Sequence, residues 1–331
     1  MAGCGAWDRS PGGVGSLPIG GGGSPRGPGF KSRRPHHGVS GAYASPAPSS
    51  GPRAGTVVSR CAGPDMCPHL VRERLLLPAL EGYAPRLVGD VAEGGRWAGF
   101  VREYVEGVEA SRLLVDMVSG GRLRDAARAV EQVGRLLASI HSAAGCVSHL
   151  FPFHVGGLEW ARSVAAWAAA LGARGWRREA GLLAGLVEGV WPSSRSPVVP
   201  HGDPHLGQFI VSGGRVVVID LRGEPLRGPR WLFARLPPER DLAAALRSID
   251  YVVVMAGARR WGAEYRALCR GLLRGYLEAS GRRVDRDALM LWVAERAGYE
   301  AFYEYAAGTG LEWVPVSALA AFSSRVWDCG G

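Results

Sequence analysis

From about residue 69 onward apolar positions recur at helical or strand spacing, while earlier in the chain they follow neither period. The run HLVRERLLLPAL, starting at His69, reads as a short helix. PRLVGDVAEGGRWAGFVREYV reads as two strands around a Glu-Gly-Gly turn. RLRDAARAVEQVGRLLASIHSA places Ala, Val, Leu and Ile at i, i+3, i+4 and i+7, which predicts a long amphipathic helix. Two further helices are expected near 158–173 and 176–190. Then comes VVPHGDPHLGQFIV, residues 198–211, a polar loop between two strand-like runs, followed by RVVVID ending at Asp220. Beyond it the pattern is almost wholly helical, over roughly 239–256, 260–280, 285–307 and 316–325. No internal repeat is present. The sum is an α+β chain with a small strand-bearing N-terminal piece and a large helical remainder.

Composition changes the picture mainly at the N-terminus. Residues 1–60 hold 15 Gly and 8 Pro, too little apolar surface to offset the entropy of ordering. Residues 1–62 are therefore expected to be disordered, or to come from a wrongly assigned start. Apolar content of 47% and charge of 21% over the whole chain are globular values. The net charge of +9 suggests nucleic acid until its distribution is considered. Six arginines and Lys31 against Asp8 put +6 in the first 60 residues, leaving about +3 for the rest. No helix carries a basic stripe with interleaved aromatics, so no nucleic-acid partner is expected.

Lys31 is the one lysine beside 38 arginines, which reads as coding bias. Cys4, Cys61, Cys67, Cys146, Cys269 and Cys329 are scattered without CxxC pairs, so a disulfide scaffold is not expected in a chain this long. Cys61, Cys67 and His69 lie close together, but their spacing matches no common zinc motif. No apolar run reaches the ~18 residues of a membrane span, and no signal peptide is visible. The expectation is a cytoplasmic, reduced protein.

The candidate chemistry lies in the 198–224 stretch. Phosphoryl transfer needs Mg²⁺ held by hard oxygen ligands and a carboxylate to orient the attacking hydroxyl. His201-Gly202-Asp203-Pro204-His205-Leu206-Gly207-Gln208 followed by Val218-Ile219-Asp220 supplies those groups in that order. HGDPHLGQ…VVVIDLRGEP resembles the catalytic and metal loops of the aminoglycoside-phosphotransferase-like kinases, within the protein-kinase-like superfamily. The variant with Gln, and with Gly-Glu-Pro after the second Asp, resembles the maltokinases. Two further segments are similar to theirs: the run Arg240–Tyr251, and Glu295–Glu304 with Trp313 and Pro315. The resemblance covers about residues 70–325.

It implies a kinase-like fold: a partial N-lobe with hinge over 63–107, and a helical C-lobe over 108–331. Asp203 would be the base, with His201 bracing the loop and His205 near the base or the γ-phosphate. Gln208 and Asp220 would hold Mg²⁺. ATP would meet Glu73 on the first helix and the hinge at Glu103, Tyr104 and Val105. Glu224 would contact the metal or substrate, or support the groups that do. Asp241, Arg247, Tyr299, Glu300, Tyr303 and Glu304 would line or support the acceptor groove. The implied reaction is ATP- and Mg²⁺-dependent phosphorylation of a sugar hydroxyl, with maltose as first acceptor and glucosamine or another small amino sugar as the alternative. Association with trehalose- or maltose-metabolising enzymes is implied in the same way.

Read without the resemblance, several of these residues have plainer roles. Asp241 is equally a helix cap. Tyr299, Glu300, Tyr303 and Glu304 read as core with a solvated rim. His141 and the tryptophans at 160, 167 and 176 read as structural. The chain also departs from the family, whose small lobe carries a glycine-rich phosphate loop and a strand lysine paired with the helix glutamate. GGGG at 20–23 has no flanking strands, and Lys31 lies in Gly/Pro-rich sequence. Either the lobe is incomplete and the chain is a non-catalytic sugar- or partner-binding relative, or an arginine such as Arg60 or Arg72 takes the phosphate role.

Overall fold

A computed structural model describes residues 55–64, 66–188 and 196–322. The readings made for the Gly/Pro-rich segment up to residue 54, for Lys31 and for Cys329 lie outside these residues. Chain order begins with β1 (Thr56–Arg60), α1 (Cys67–Leu76), β2 (Leu87–Glu93) and β3 (Arg96–Glu103). The three strands form one antiparallel sheet in the order β1-β3-β2, with Thr56 opposite Glu103 and Val58 opposite Val101. β1 corrects the expectation that residues up to 62 have no structure. The β-branched run Thr56-Val57-Val58 favours a strand, and Val58 is buried in this small lobe. Cys61, just past β1, and Cys67, at the start of α1, are joined as a disulfide with Cα atoms 5.1 Å apart. That one bond departs from the expectation of a reduced protein, though it is no disulfide scaffold.

The chain then leaves the small sheet through residues 104–107. β4 (Val108–Glu109) and α2 (Ala110–Ser119) follow, and α2 was not foreseen. Next come α3 (Leu123–Ala143), β5 (Phe153–His154), α4 (Gly157–Gly172) and α5 (Arg177–Gly185). β6 (Phe209–Ser212) and β7 (Arg215–Val218) form a hairpin, and β4 pairs on the other edge of β6. The chain ends with α6 (Pro229–Leu232), β8 (Ala234–Arg235), α7 (Pro238–Met255), α8 (Ala263–Ser280), α9 (Arg286–Ala307) and α10 (Trp313–Ala320). The apolar run before the polar loop forms only a bridge, Val198 with Leu236.

Local signals place the helix ends. Asp285 caps α9 by accepting the Ala288 amide at 3.0 Å. Gly281 and Gly308 end α8 and α9 in left-handed conformation. The large lobe packs around α7 and α9, with Trp160, Trp292, Tyr276 and Phe209 fully buried. Burial of α7 extends to Arg240, Asp241, Arg247 and Asp250. Polar groups so placed must find partners inside the protein, and the partners they find hold the polar loop.

Candidate active site

Residues 201–208 run from the Val198 bridge into β6. Their far end is clamped when Ile219 donates its amide to the Gln208 carbonyl at 2.8 Å. That bond sets Gln208 beside Asp220, two residues past the hairpin. Asp220 has φ of 54°, in the left-handed region that costs a non-glycine residue roughly 1–3 kcal/mol. The Gln208 side-chain nitrogen lies 3.3 Å from Asp220 Oδ2 and 3.0 Å from His205 Nε2.

The near end of the loop hangs from Asp241 on α7. Its carboxylate accepts the His201 amide at 2.6 Å, the Gly202 amide at 3.1 Å and His141 Nε2 at 2.9 Å. Arg240 donates to the Gly202 carbonyl, and Ser248 Oγ accepts the Leu206 amide. Gly202 has φ of 96°, strained for any residue with a side chain, and a Cβ there would press tightly on Gly223 and Arg72. The Asp203 amide in turn donates to His201 Nδ1 at 3.3 Å. Asp241 is therefore a brace for the loop. It is enclosed with zero exposure and does not face an acceptor groove, which corrects that part of the expectation. Burial opposes its charge, but His141 and the surrounding cations hold its carboxyl well below the usual range. His141, read as structural, is the partner that makes this brace.

Asp203 stands where two cavities meet. One, of about 180 Å³, is lined by His69, Gln208, Asp220 and Arg222 among others. The second, of about 380 Å³, is lined by Glu109, Ser248, Tyr251, Tyr299, Glu300 and Glu304 among others. Both are also lined by Asp203, His205, Pro225 and Tyr303. The larger is within the size range of small-molecule sites. Tyr299 and Tyr303 stack at 10° between planes, Trp167 meets Tyr299 edge-on, and the two tyrosines share the lining of the larger cavity with Glu109, Asp203, Glu300 and Glu304.

Arg296 on α9 was not singled out from the sequence, though it lies inside the quoted Glu295–Glu304 segment. It donates to Asp203 Oδ1 at 2.7 Å, to Glu224 at 2.5 Å and to Glu300 at 2.9 Å. Glu224 also pairs with Arg227 and Arg240, both at 2.5 Å. It lines neither large cavity and contacts no substrate space there. Its place is an internal counter-charge that fixes Arg296, and these arginines hold its carboxyl down at about 2 against the opposing effect of burial. Arg247 is likewise internal, paired with Asp250 and Glu300.

At the hinge, Glu103 pairs with Arg86 on the surface, and the Tyr104 amide donates to the Gly55 carbonyl. Val105 follows in the linker. Gly107 lies so close to Val211 and Ile210 that a Cβ would collide with both. Glu73 is deeply buried on α1. Neither arginine proposed for the phosphate role reaches the cavity. Arg60 pairs with Glu93, and Arg72 spends its guanidinium on the carbonyls of Pro200, Leu221 and Leu232.

The hard donor on this cavity is the Asp220 carboxylate; Gln208 turns its side-chain nitrogen toward it, and rotation of that amide would add its oxygen as a second donor. Among the described residues no cluster of three or more His, Cys, Asp or Glu forms. Two hard oxygen donors beside an open cavity suit Mg²⁺, which keeps waters and phosphate oxygens in its remaining positions.

His201 gives a pH prediction. Burial pushes its imidazole down to about 4 from 6.5. Between those values the unfolded chain binds more protons than the folded one, so stability rises with pH across that window. The full gain is about 3 kcal/mol, seen as a rising melting temperature from pH 4 to 6.5. His201→Asn should flatten that slope; an unchanged slope would contradict the assignment.

Residues 64–223 match the model of the phosphotransferase enzyme family. Among solved structures, a glucosamine kinase in complex with glucosamine, ADP and inorganic phosphate superposes with a TM-score of 0.62 at 22% identity, over 83% of this chain and 78% of that one. An aminoglycoside phosphotransferase in complex with GDP and kanamycin gives a TM-score of 0.51 at 14% identity, over 82% of this chain and 88% of that one. Among the described residues no helix is long and apolar enough to cross a membrane. The polar loop, the hairpin that leads to Asp220 and the helices that brace them form a kinase-like fold, like that of the glucosamine kinase, and residues 64–223 within it match the phosphotransferase family model.

Proposed function

We propose that the chain transfers the γ-phosphoryl group of ATP, with Mg²⁺, to a hydroxyl of a small sugar. The observation that carries this reading is the position of Asp203, which borders both cavities. A hydroxyl in the larger cavity can give its proton to Asp203 while a phosphate lies in the smaller one. The sugar oxygen forms its bond to phosphorus as the bond to the nucleoside diphosphate breaks, and the proton passes to Asp203. Arg296 holds one oxygen of that carboxylate and so orients the other. In such a loose transition state positioning outweighs base strength. Gln208 and Asp220 would hold the Mg²⁺, whose contribution when bound is to neutralise charge on the transferring phosphate. His205 borders both spaces and bonds Gln208, which suits a group that keeps the two sides in register.

Maltose remains the first acceptor. The four-segment resemblance supports it, and the half-buried ring of Tyr303, backed by Tyr299, suits a pyranose face. Glucosamine is the second reading, favoured by Glu109, Glu300 and Glu304 around the larger cavity and by the likeness to a glucosamine kinase. ADP release by the purified chain with ATP and Mg²⁺ separates them. Maltose-dependent release is expected. Release with glucosamine alone would move the assignment to the second reading. No release with either would favour a binding protein without transfer.

A further inference from the structure

The smaller cavity has a cation that no reading of the sequence picked out. Arg222 follows Asp220 by two residues, and its Nε lies 2.7 Å from Asp220 Oδ1 and 3.3 Å from Glu73 Oε2. Glu73 is 1% exposed, and neither of its carboxylate oxygens accepts a hydrogen bond among the described residues. Its other neighbour is Arg102 of β3, at 3.5 Å from Oε1. Two carboxylates thus hold Arg222 by its inner nitrogen. Its two terminal nitrogens make no protein hydrogen bond among the described residues, and the side chain borders the cavity with Asp203, Gln208 and Asp220.

A guanidinium fork fixed at Nε, with both terminal nitrogens left over, is a bidentate anion receptor. Glu73 is unsuited to accept a ligand anion. It is suited to orient the arginine and to hold it in place when the cavity is empty. Arg102 does not border the cavity, so its part is to balance Glu73. The two arginines that the sequence offered for this role are engaged elsewhere: Arg72 on three carbonyls, Arg60 on Glu93.

We infer that Arg222 is the phosphate ligand of this chain, binding a terminal phosphate of the nucleotide from the loop after β7, with Glu73 and Arg102 as the residues that position it. The lysine that the resemblance calls for on a small-lobe strand is thereby replaced by an arginine delivered from the large lobe. This rests on the proposed function, since it presumes that the smaller cavity takes phosphates.

The test measures ADP and adenosine binding in EDTA by calorimetry, for the wild-type chain, Arg222→Gln, Arg222→Lys and Arg102→Gln, with melting curves to confirm folding. Arg222→Gln should weaken ADP on the order of 10- to 100-fold while adenosine binding stays unchanged. Arg222→Lys should recover part of the loss, and Arg102→Gln should lose less than Arg222→Gln. A folded Arg222→Gln that keeps the wild-type preference for ADP over adenosine would overturn the inference alone. So would an equal loss for both ligands, which marks a purely structural residue. Failure of the wild-type chain to bind either ligand would overturn the proposed function and this inference with it.

Discussion

Asp203→Asn is expected to lower turnover about 10²- to 10⁴-fold, the range for loss of a positioned general base, with little change in acceptor affinity. The amide cannot take the hydroxyl proton, but it has nearly the same shape and can still accept from Arg296. Arg296 also retains Glu224 and Glu300, so no buried charge is left alone. The fall should therefore appear in single-turnover rates under saturating ATP and sugar, and the melting temperature should move little. An Asn variant that turns over at the wild-type rate would remove Asp203 from the reaction.

The second large effect is on stability. Arg296→Met should destabilise the fold by about 3–5 kcal/mol, because it removes one partner of a buried ionic cluster and leaves the others. Arg296 is enclosed, and burial opposes its charge, yet Asp203, Glu224 and Glu300 raise its pKa well above the ordinary arginine value. Without it, Glu300 keeps Arg247, and Glu224 keeps Arg227 and Arg240, but Asp203 loses the hydrogen bond that, among the described residues, orients its carboxylate. Urea titration of the wild-type chain, of both single variants and of Arg296→Met with Asp203→Asn forms a double-mutant cycle. Neighbours this close should be non-additive, with the Asn change recovering part of the loss. Simple additivity would mean that the two side chains do not share one network.

These effects explain why α7 and α9 tolerate so many buried charges. Asp241 holds the start of the loop, Arg240 holds Gly202, and Arg296 holds Asp203. They fix a short segment whose backbone has few regular hydrogen bonds of its own, as sites on loops require.

Which chemistry the chain could attempt was legible in the order of its residues. HGDPHLGQ, a hairpin-forming pair of apolar runs and Asp220 occur in sequence, and local pairing suffices to bring Gln208 to Asp220. The helical periods over 122–143 and 239–307 and the two strands within 85–105 were equally local, because amphipathic spacing reports the buried face directly. β1 was hidden, since five residues beside a Gly/Pro-rich segment signal little until β3 pairs with them. Only the tertiary structure separated residues that touch the cavities from those that hold them. Glu224, Asp241 and Arg247 are charged residues of quoted segments just as Glu300 and Glu304 are, and sequence alone has no measure of which of them other elements cover. Arg222 and Arg296 were unremarkable arginines among 38. Their positions come from contacts spanning 149 residues to Glu73 and 93 to Asp203. Long-range ion pairs of that kind form only once the packed helices and the small lobe place the partners within a few ångströms of each other.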